Sequence, residues 1–383
     1  KGVNILNATT INVAGNYIGL NSSGASNHQN TSDGIYVSAS QASTVNIGTG
    51  GTTAATRNYV GNNVGDGIEV ASTAAGATVK IKNNVVGVAA DFTTSAGNVG
   101  NGIRVAANAT TTIGTDLDGS NDSDEANVTS ANSTAGILIE NGATSVAIAG
   151  NIVGLKGASG TYTTAAGNGT VGIHVNSNSV TSLTIGGSDN NQRNVVGSNT
   201  SHGINVADAG NAIAYTIRNN YVGFGNDGST ARGNSGRGME LSDGGAVSIM
   251  DNVVGNSVTG GVNITAGTSL TFTGNKIGAT ATGIAAAGNT CYGLRVAATT
   301  MADVDIGSSS TTNVFAANTT CTGQTGDGIN ISNLAATNTP VDIVGNYIGI
   351  GSDGTTTTGM GNAGDGIYVL KGALTVGGDN DLA

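Results

Sequence analysis

Apolar and polar residues alternate along this chain in short bursts that recur at a regular interval. A glycine followed by an apolar-x-apolar triplet stands at Gly2-Val3-Asn4-Ile5, Gly34-Ile35-Tyr36-Val37, Gly67-Ile68-Glu69-Val70, Gly102-Ile103-Arg104-Val105, Gly136-Ile137-Leu138-Ile139 and Gly172-Ile173-His174-Val175. It returns at Gly203-Ile204, Gly238-Met239, Gly261-Val262, Gly293-Leu294, Gly328-Ile329 and Gly366-Ile367. Most intervals are 31 to 38 residues, and the single one of 23 before Gly261 reads as a unit that has lost its loop. Within each triplet the alternation has period two, the signature of a strand with one face turned inward.

Two further short strands follow in every period. One is of the type Val45-Asn46-Ile47, Val79-Lys80-Ile81 or Leu183-Thr184-Ile185, and the other begins with asparagine, as in Asn16-Tyr17-Ile18-Gly19. No stretch of ten residues keeps a 3.6-residue spacing, so a helical solenoid is excluded. Fixed-period repeats of this size build stacked arrays. The expected fold is all-β: one continuous right-handed parallel β-solenoid over residues 1–383, of about a dozen coils of roughly 33 residues, with three short strands per coil. Glycine at the corners is expected to supply the backbone conformations of tight bends.

The most regular position opens the third strand: Asn16, Asn58, Asn84, Asn127, Asn151, Asn194, Asn220, Asn252, Asn275, Asn313 and Asn346. With coils stacked about 4.8 Å apart, these amides can form a ladder, each donating to its neighbour; solvent-exposed turn residues are the alternative. Loops alternate as well. One unit carries its loop after the third strand (residues 21 to 33), the next between the second and third strands (residues 48 to 57), so loops are expected at two corners in turn.

Composition narrows the function classes. Only 10 % of residues are charged, the net charge is −11, and the 13 basic residues are scattered, which excludes a nucleic-acid surface. No apolar run reaches the ~20 residues of a membrane-spanning helix.

At the level of whole units the chain resembles bacterial secreted and cell-surface right-handed parallel β-helix repeat proteins, which share the pectate-lyase fold. The resemblance rests on Gly15-Asn16-Tyr17-Ile18-Gly19, Gly345-Asn346-Tyr347-Ile348-Gly349, Asp33-Gly34-Ile35-Tyr36-Val37, Asp365-Gly366-Ile367-Tyr368-Val369, and Ile185-Gly186-Gly187 with Arg193-Asn194-Val195-Val196-Gly197. It covers nearly the whole chain and implies a fold and an extracellular or surface location; activities within the group differ.

Several residues are candidates for chemistry. Asp33, Asp66, Asp327 and Asp365 precede first-strand glycines and read as turn formers. No carboxylate pair, basic cluster or Ser/His/Asp set marks a catalytic centre, so no catalytic residue is assigned, and His28, His174 and His202 read as surface residues. The acidic loop Asp116-Leu117-Asp118-Gly119-Ser120-Asn121-Asp122-Ser123-Asp124-Glu125 offers Asp116, Asp118, Asp122 and Asp124 as ligands for Ca2+, and no other cofactor is expected; a solvated loop is the alternative. Cys291 and Cys321 occupy adjacent units near one corner and are candidates for a disulfide, which suits an oxidising compartment. Tyr17, Tyr59, Tyr221 and Tyr347 follow ladder asparagines and should face outward, as sugar-binding platforms or as ordinary strand formers. A flat threonine face for ice is excluded by Lys80, Asp305 and Asp342 in the second strand.

The expected function is an extracellular structural rod, as filament, coat or adhesin, about 50 Å long by eleven strand spacings. Self-association head to tail through uncapped ends is expected with it. The competing expectation is a surface protein that binds or degrades glycans.

Overall fold

A computed structural model describes residues 1–25, 28–50, 56–116, 118–158, 160–207, 213–242 and 244–377. Three parallel sheets run along it, of 12, 12 and 11 strands, and every strand pairs with its counterpart one repeat away. The first sheet opens with Val3–Ile5, Ile35–Ser38 and Ile68–Ser72, the second with Thr10–Val13, Thr44–Ile47 and Ala77–Ile81, and the third with Tyr17–Ile18, Asn58–Val60 and Asn84–Val86. The chain is therefore the expected β-solenoid with three strands per coil. Pairing follows the triplets residue for residue, as in Ile103↔Ile137, Arg104↔Leu138 and Val105↔Ile139. The described pairs slip register only between Val37 and Ser38.

Period-two alternation sends one side chain of each pair into a single continuous core. Ile35, Val37, Val45, Ile47 and Val60 of one coil are fully buried, as are Ile68, Val70, Val79, Ile81 and Val86 of the next. Further along, Phe272 and Phe315 replace aliphatic residues and stack with centroids 5.8 Å apart.

The asparagine ladder exists and is buried. Each Nδ2 from Asn16 to Asn313 donates to the Oδ1 of the next asparagine at 2.8 to 3.2 Å. From Asn58 through Asn313 these side chains are wholly shielded from solvent, so the exposed-turn alternative falls. The same Nδ2 groups reach back to second-strand carbonyls, as Asn84 does to Ile47 O at 2.9 Å. Paired in this way, a buried amide avoids the cost of desolvation without a partner.

Corner glycines such as Gly19, Gly48 and Gly87 take the left-handed backbone expected of tight bends, but the first-strand glycines serve another purpose. Gly34, Gly67, Gly102 and Gly136 are absent from the positive-φ set, so bending is not what requires them. They form a column at the corner where the third strand turns into the first. A Cβ on Gly136 would lie 2.6 Å from Val153 Cγ1 and 2.8 Å from Gly172 O, so close approach excludes any side chain. Left-handed backbone falls on a different set, such as Gly186 at the end of a second strand, with φ +90°.

Candidate functional site

Loops alternate between two corners as the spacing predicts, and the alternation builds a groove. Loops that follow the third strand in every second coil touch one another over the intervening coil. Ala90 N donates to Gly24 O at 3.0 Å, Gly157 N to Phe92 O at 2.9 Å, Asn226 N to Tyr162 O at 3.2 Å, Ala281 N to Gly228 O at 2.9 Å and Ser352 N to Gly283 O at 3.0 Å. They form a ridge along one side of the third sheet. Loops between the second and third strands border the other side.

The floor between the ridges is the outer face of the third sheet, read in register as Tyr17, Tyr59, Val85, Val128, Ile152, Val195, Tyr221 and Val253. At Val85, Val128, Ile152 and Val195 the groove deepens into a cavity of about 340 Å³. Phe92, Tyr162 and Asn226 wall it on one side, and Arg57, Ser123, Asp124, Asn190, Asn191 and Arg193 on the other. The aromatic residues form a connected run. Tyr17 stacks on Tyr59 at 5.0 Å, Tyr59 meets Phe92 edge-on at 6.2 Å, and Phe92 meets Tyr162 at 6.5 Å. All four tyrosines after ladder asparagines lie on this outer face, but they are not equivalent: Tyr17 is 47 % exposed and Tyr59 only 6 %.

Both arginines of the groove have neutral partners among the described residues. Arg57 Nε donates to Asn83 Oδ1 at 2.7 Å, and its guanidinium carbon sits 5.2 Å from the Phe92 ring centroid. Arg193 donates from Nη2 to Asn219 Oδ1 at 2.6 Å and to Asn190 Oδ1 at 2.8 Å, and lies 3.9 Å over the Tyr221 ring. Burial shifts the groups here: it pushes the Tyr162 hydroxyl up and Arg193 down, and it lowers Lys276 further along the face, with Arg193 adding to that fall. A cleft of this volume, apolar at the base with a few oriented polar groups, is the form small-ligand sites take. Guanidinium groups held by amides keep donors for carboxylate, sulfate or hydroxyl oxygens.

The remaining candidates fall elsewhere. Asp33 Oδ1 accepts Asp66 N at 3.0 Å, Asp66 Oδ1 accepts Asn101 N at 2.6 Å, and Asp327 Oδ1 accepts Asp365 N at 2.9 Å, so three of these turn aspartates brace the following coil. Asp33, Asp66 and Glu69 do cluster, but Lys1 approaches Asp33 at 3.7 Å and Arg104 bridges Glu69 at 2.8 Å and Glu140 at 2.6 Å. Burial raises the carboxyl groups of both Asp66 and Glu69, and Arg104 opposes the rise. Cys291 and Cys321 are bonded, with Cα atoms 4.8 Å apart. Their unequal offsets reflect a short insertion before Gly328, where Cys321 and Gln324 exchange backbone hydrogen bonds.

Two histidines need correction. His28 is exposed, but His174 and His202 are half-buried on neighbouring coils of the first face. They are electrostatically coupled, and burial holds both below the ordinary histidine value. Of the acidic loop, Asp116, Asp118 and Asp122 come together, whereas Asp124 lies outside the trio and lines the groove; Leu117 lies outside the described residues.

A second ladder escaped the sequence reading. Asn30, Asn63, Asn98, Asn132, Asn168, Asn199 and Asn234 link Nδ2 to Oδ1 at 2.7 to 3.1 Å along the corner between the third and first sheets. Ser257 interrupts the run, and Asn289, Asn318 and Asn362 resume it. The signal was present: each member but Asn318 stands four residues before a first-strand glycine. Comparison of the chain with protein-family models, with curated proteins and with solved structures returned no match, so the fold and the groove stand on this chain's own residues.

Proposed function

We propose that the protein is an extracellular structural β-solenoid, a stiff rod of the bacterial surface type that its repeat units resemble. The observation that carries this reading is continuity: one asparagine ladder, buried from Asn58 through Asn313, runs unbroken from Asn16 to Asn346 alongside three in-register sheets. Bending such a rod would break amide–amide hydrogen bonds and core contacts together in every coil concerned. The Cys291–Cys321 bond suits an oxidising environment. Electron microscopy and small-angle scattering of the purified chain test it, the expectation being rigid particles about 50 Å along the axis by eleven strand spacings. Filaments would extend the reading to a self-associating subunit; flexible or collapsed particles would overturn it.

A second reading, a glycan-binding face on the same rod, is favoured by the groove. Its aromatic run and two amide-held arginines match an acidic or densely hydroxylated chain better than a neutral apolar ligand. Glycan arrays with Arg193→Ala and Arg57→Ala as comparisons, together with reducing-end assays for cleavage, separate binding, cleavage and neither.

A further inference from the structure

We propose that Asp116, Asp118 and Asp122 bind a calcium ion that locks the loop segment 118–126 against the coil carrying Gln192. Each aspartate offers a carboxylate oxygen, and the three oxygens lie within 4.8 Å of one another. Calcium takes oxygen ligands at about 2.3–2.6 Å, so oxygens on opposite sides of its shell stand up to about 5 Å apart. The trio fits inside that span.

A second observation separates this cluster from ordinary surface acidity. Asp122 is only 5 % exposed; its Oδ2 accepts from Gln192 Nε2 at 3.0 Å, yet its Oδ1 has no donor among the described residues. Asp116 Oδ1 is likewise buried without a donor. A desolvated carboxylate oxygen with no partner is costly, and a cation beside it removes that cost.

The lysines that face the cluster do not fill this role. Lys80 and Lys82 approach Asp116 through Oδ2, at 3.1 and 2.5 Å, and Lys82 also holds Glu125 at 2.7 Å, which leaves the Oδ1 atoms untouched. Five carboxylates between Asp116 and Glu125 outnumber those two lysines. Cations and a backbone N–H reach both clusters, Lys1 and Arg104 at Asp33, Asp66 and Glu69, Lys80 and Lys82 at Asp116, and Ser120 N at Asp118; the contrast is that only Asp116 and Asp122 hold a buried carboxylate oxygen without a donor among the described residues.

The position gives the ion a task. The Asp122–Asp124 and Asn190–Gln192 turns meet through the Gln192 bond, and both supply wall residues of the groove. An ion at Asp122 therefore fixes the spacing of that wall, whether or not a glycan occupies the groove.

The test uses the full chain stripped with EDTA and titrated with CaCl2 or MgCl2 by calorimetry, with Tm followed in parallel. Expected are a Kd of about 10⁻⁴–10⁻³ M, as in extracellular calcium modules, a Tm that rises with Ca2+, and weaker binding of Mg2+. Magnesium's shorter bonds, about 2.0–2.1 Å, suit a tighter cluster. Asp118→Asn and Asp122→Asn should each weaken Ca2+ binding at least about tenfold. Asp118 is exposed, so its variant should keep the ion-free Tm of wild type, separating lost binding from lost folding. Absence of any heat or Tm shift with wild type, or wild-type affinity in Asp118→Asn, overturns the site. Equal binding of Mg2+ overturns the calcium assignment.

Discussion

Asn84 is bonded twice to a single atom of Asn127, its Nδ2 and its backbone N–H both donating to Asn127 Oδ1 at 2.9 Å. Asn127 in turn donates to Ile81 O at 2.8 Å and to Asn151 Oδ1 at 2.9 Å. Asn127→Ala would strand the buried backbone N–H of Asn84, take one of three acceptors from its Nδ2, and remove a donor from both Ile81 O and Asn151 Oδ1. At about 1–3 kcal/mol for each buried group left unsatisfied, the expected loss is roughly 3–5 kcal/mol, some groups finding new partners. Asn16 is half-buried and its side chain donates to Asn58 Oδ1 and Ala14 O without accepting a ladder bond among the described residues, so Asn16→Ala should cost about 1 kcal/mol or less. Urea denaturation of the two variants checks this, and equal losses would show that the ladder is not what holds the corner.

The legible part of this fold was the part with constant phase. Triplets such as Gly102-Ile103-Arg104-Val105 repeat because in-register pairing demands the same side chain at the same place in each coil, and the first ladder is legible because each asparagine directly precedes the third-strand pair, as in Asn58-Tyr59-Val60 and Asn84-Val85-Val86. Asn98 and Asn63 belong to the second ladder, yet they follow the third-strand valines Val86 and Val60 at 12 and 3 residues. Inserted loops erase the phase when it is counted forward and preserve it when counted back from the glycine. The groove was illegible for another reason: Phe92, Tyr162 and Arg193 line one cavity from loops of three different coils, and period alone does not tell where a loop leans. Neighbouring coils also explain His174 and His202, whose 28-residue separation is close to one turn of the solenoid.

Glycines should divide by mechanism when replaced. Gly136→Ala places a methyl group 2.6 Å from Val153 Cγ1 and 2.7 Å from Asn168 Nδ2, an overpacking expected to cost about 1–3 kcal/mol. Gly186→Ala adds backbone strain at φ +90° to a Cβ 1.9 Å from Arg218 O and should be the worst of the three. Gly76, at φ +74° with nothing within 4 Å of a built Cβ, isolates the strain alone, and Gly76→Ala should cost about 1–2 kcal/mol. Urea midpoints in the order Gly76→Ala, Gly136→Ala, Gly186→Ala, from highest to lowest, are the expected result; Gly136→Ala at wild-type stability would remove close approach as the reason for the glycine column.

Acid should weaken the first face through its histidines. His174 is held down by burial and by His202, with Glu140 opposing; His202 is held down by burial and by Arg237, with Glu240 opposing. His202 Nδ1 also accepts Arg237 N at 3.1 Å, a bond that protonation of that nitrogen ends. Because the folded values lie below the unfolded one, the unfolded chain takes up protons first as pH falls. The neutral-histidine stability is therefore complete above about pH 6.5 and drains away as pH drops through that value toward the folded pKa values. Asp66 and Glu69 act in the opposite direction, since burial raises them and the folded state gains relative stability as they protonate at lower pH. The comparison that isolates the histidines is wild type against His174→Gln/His202→Gln, with Tm measured from pH 8 to 5. Wild type should lose Tm faster than the double variant as pH falls through the histidine range, and the two should run parallel above it. Parallel curves over the whole range would mean that neither imidazole changes its proton affinity on folding.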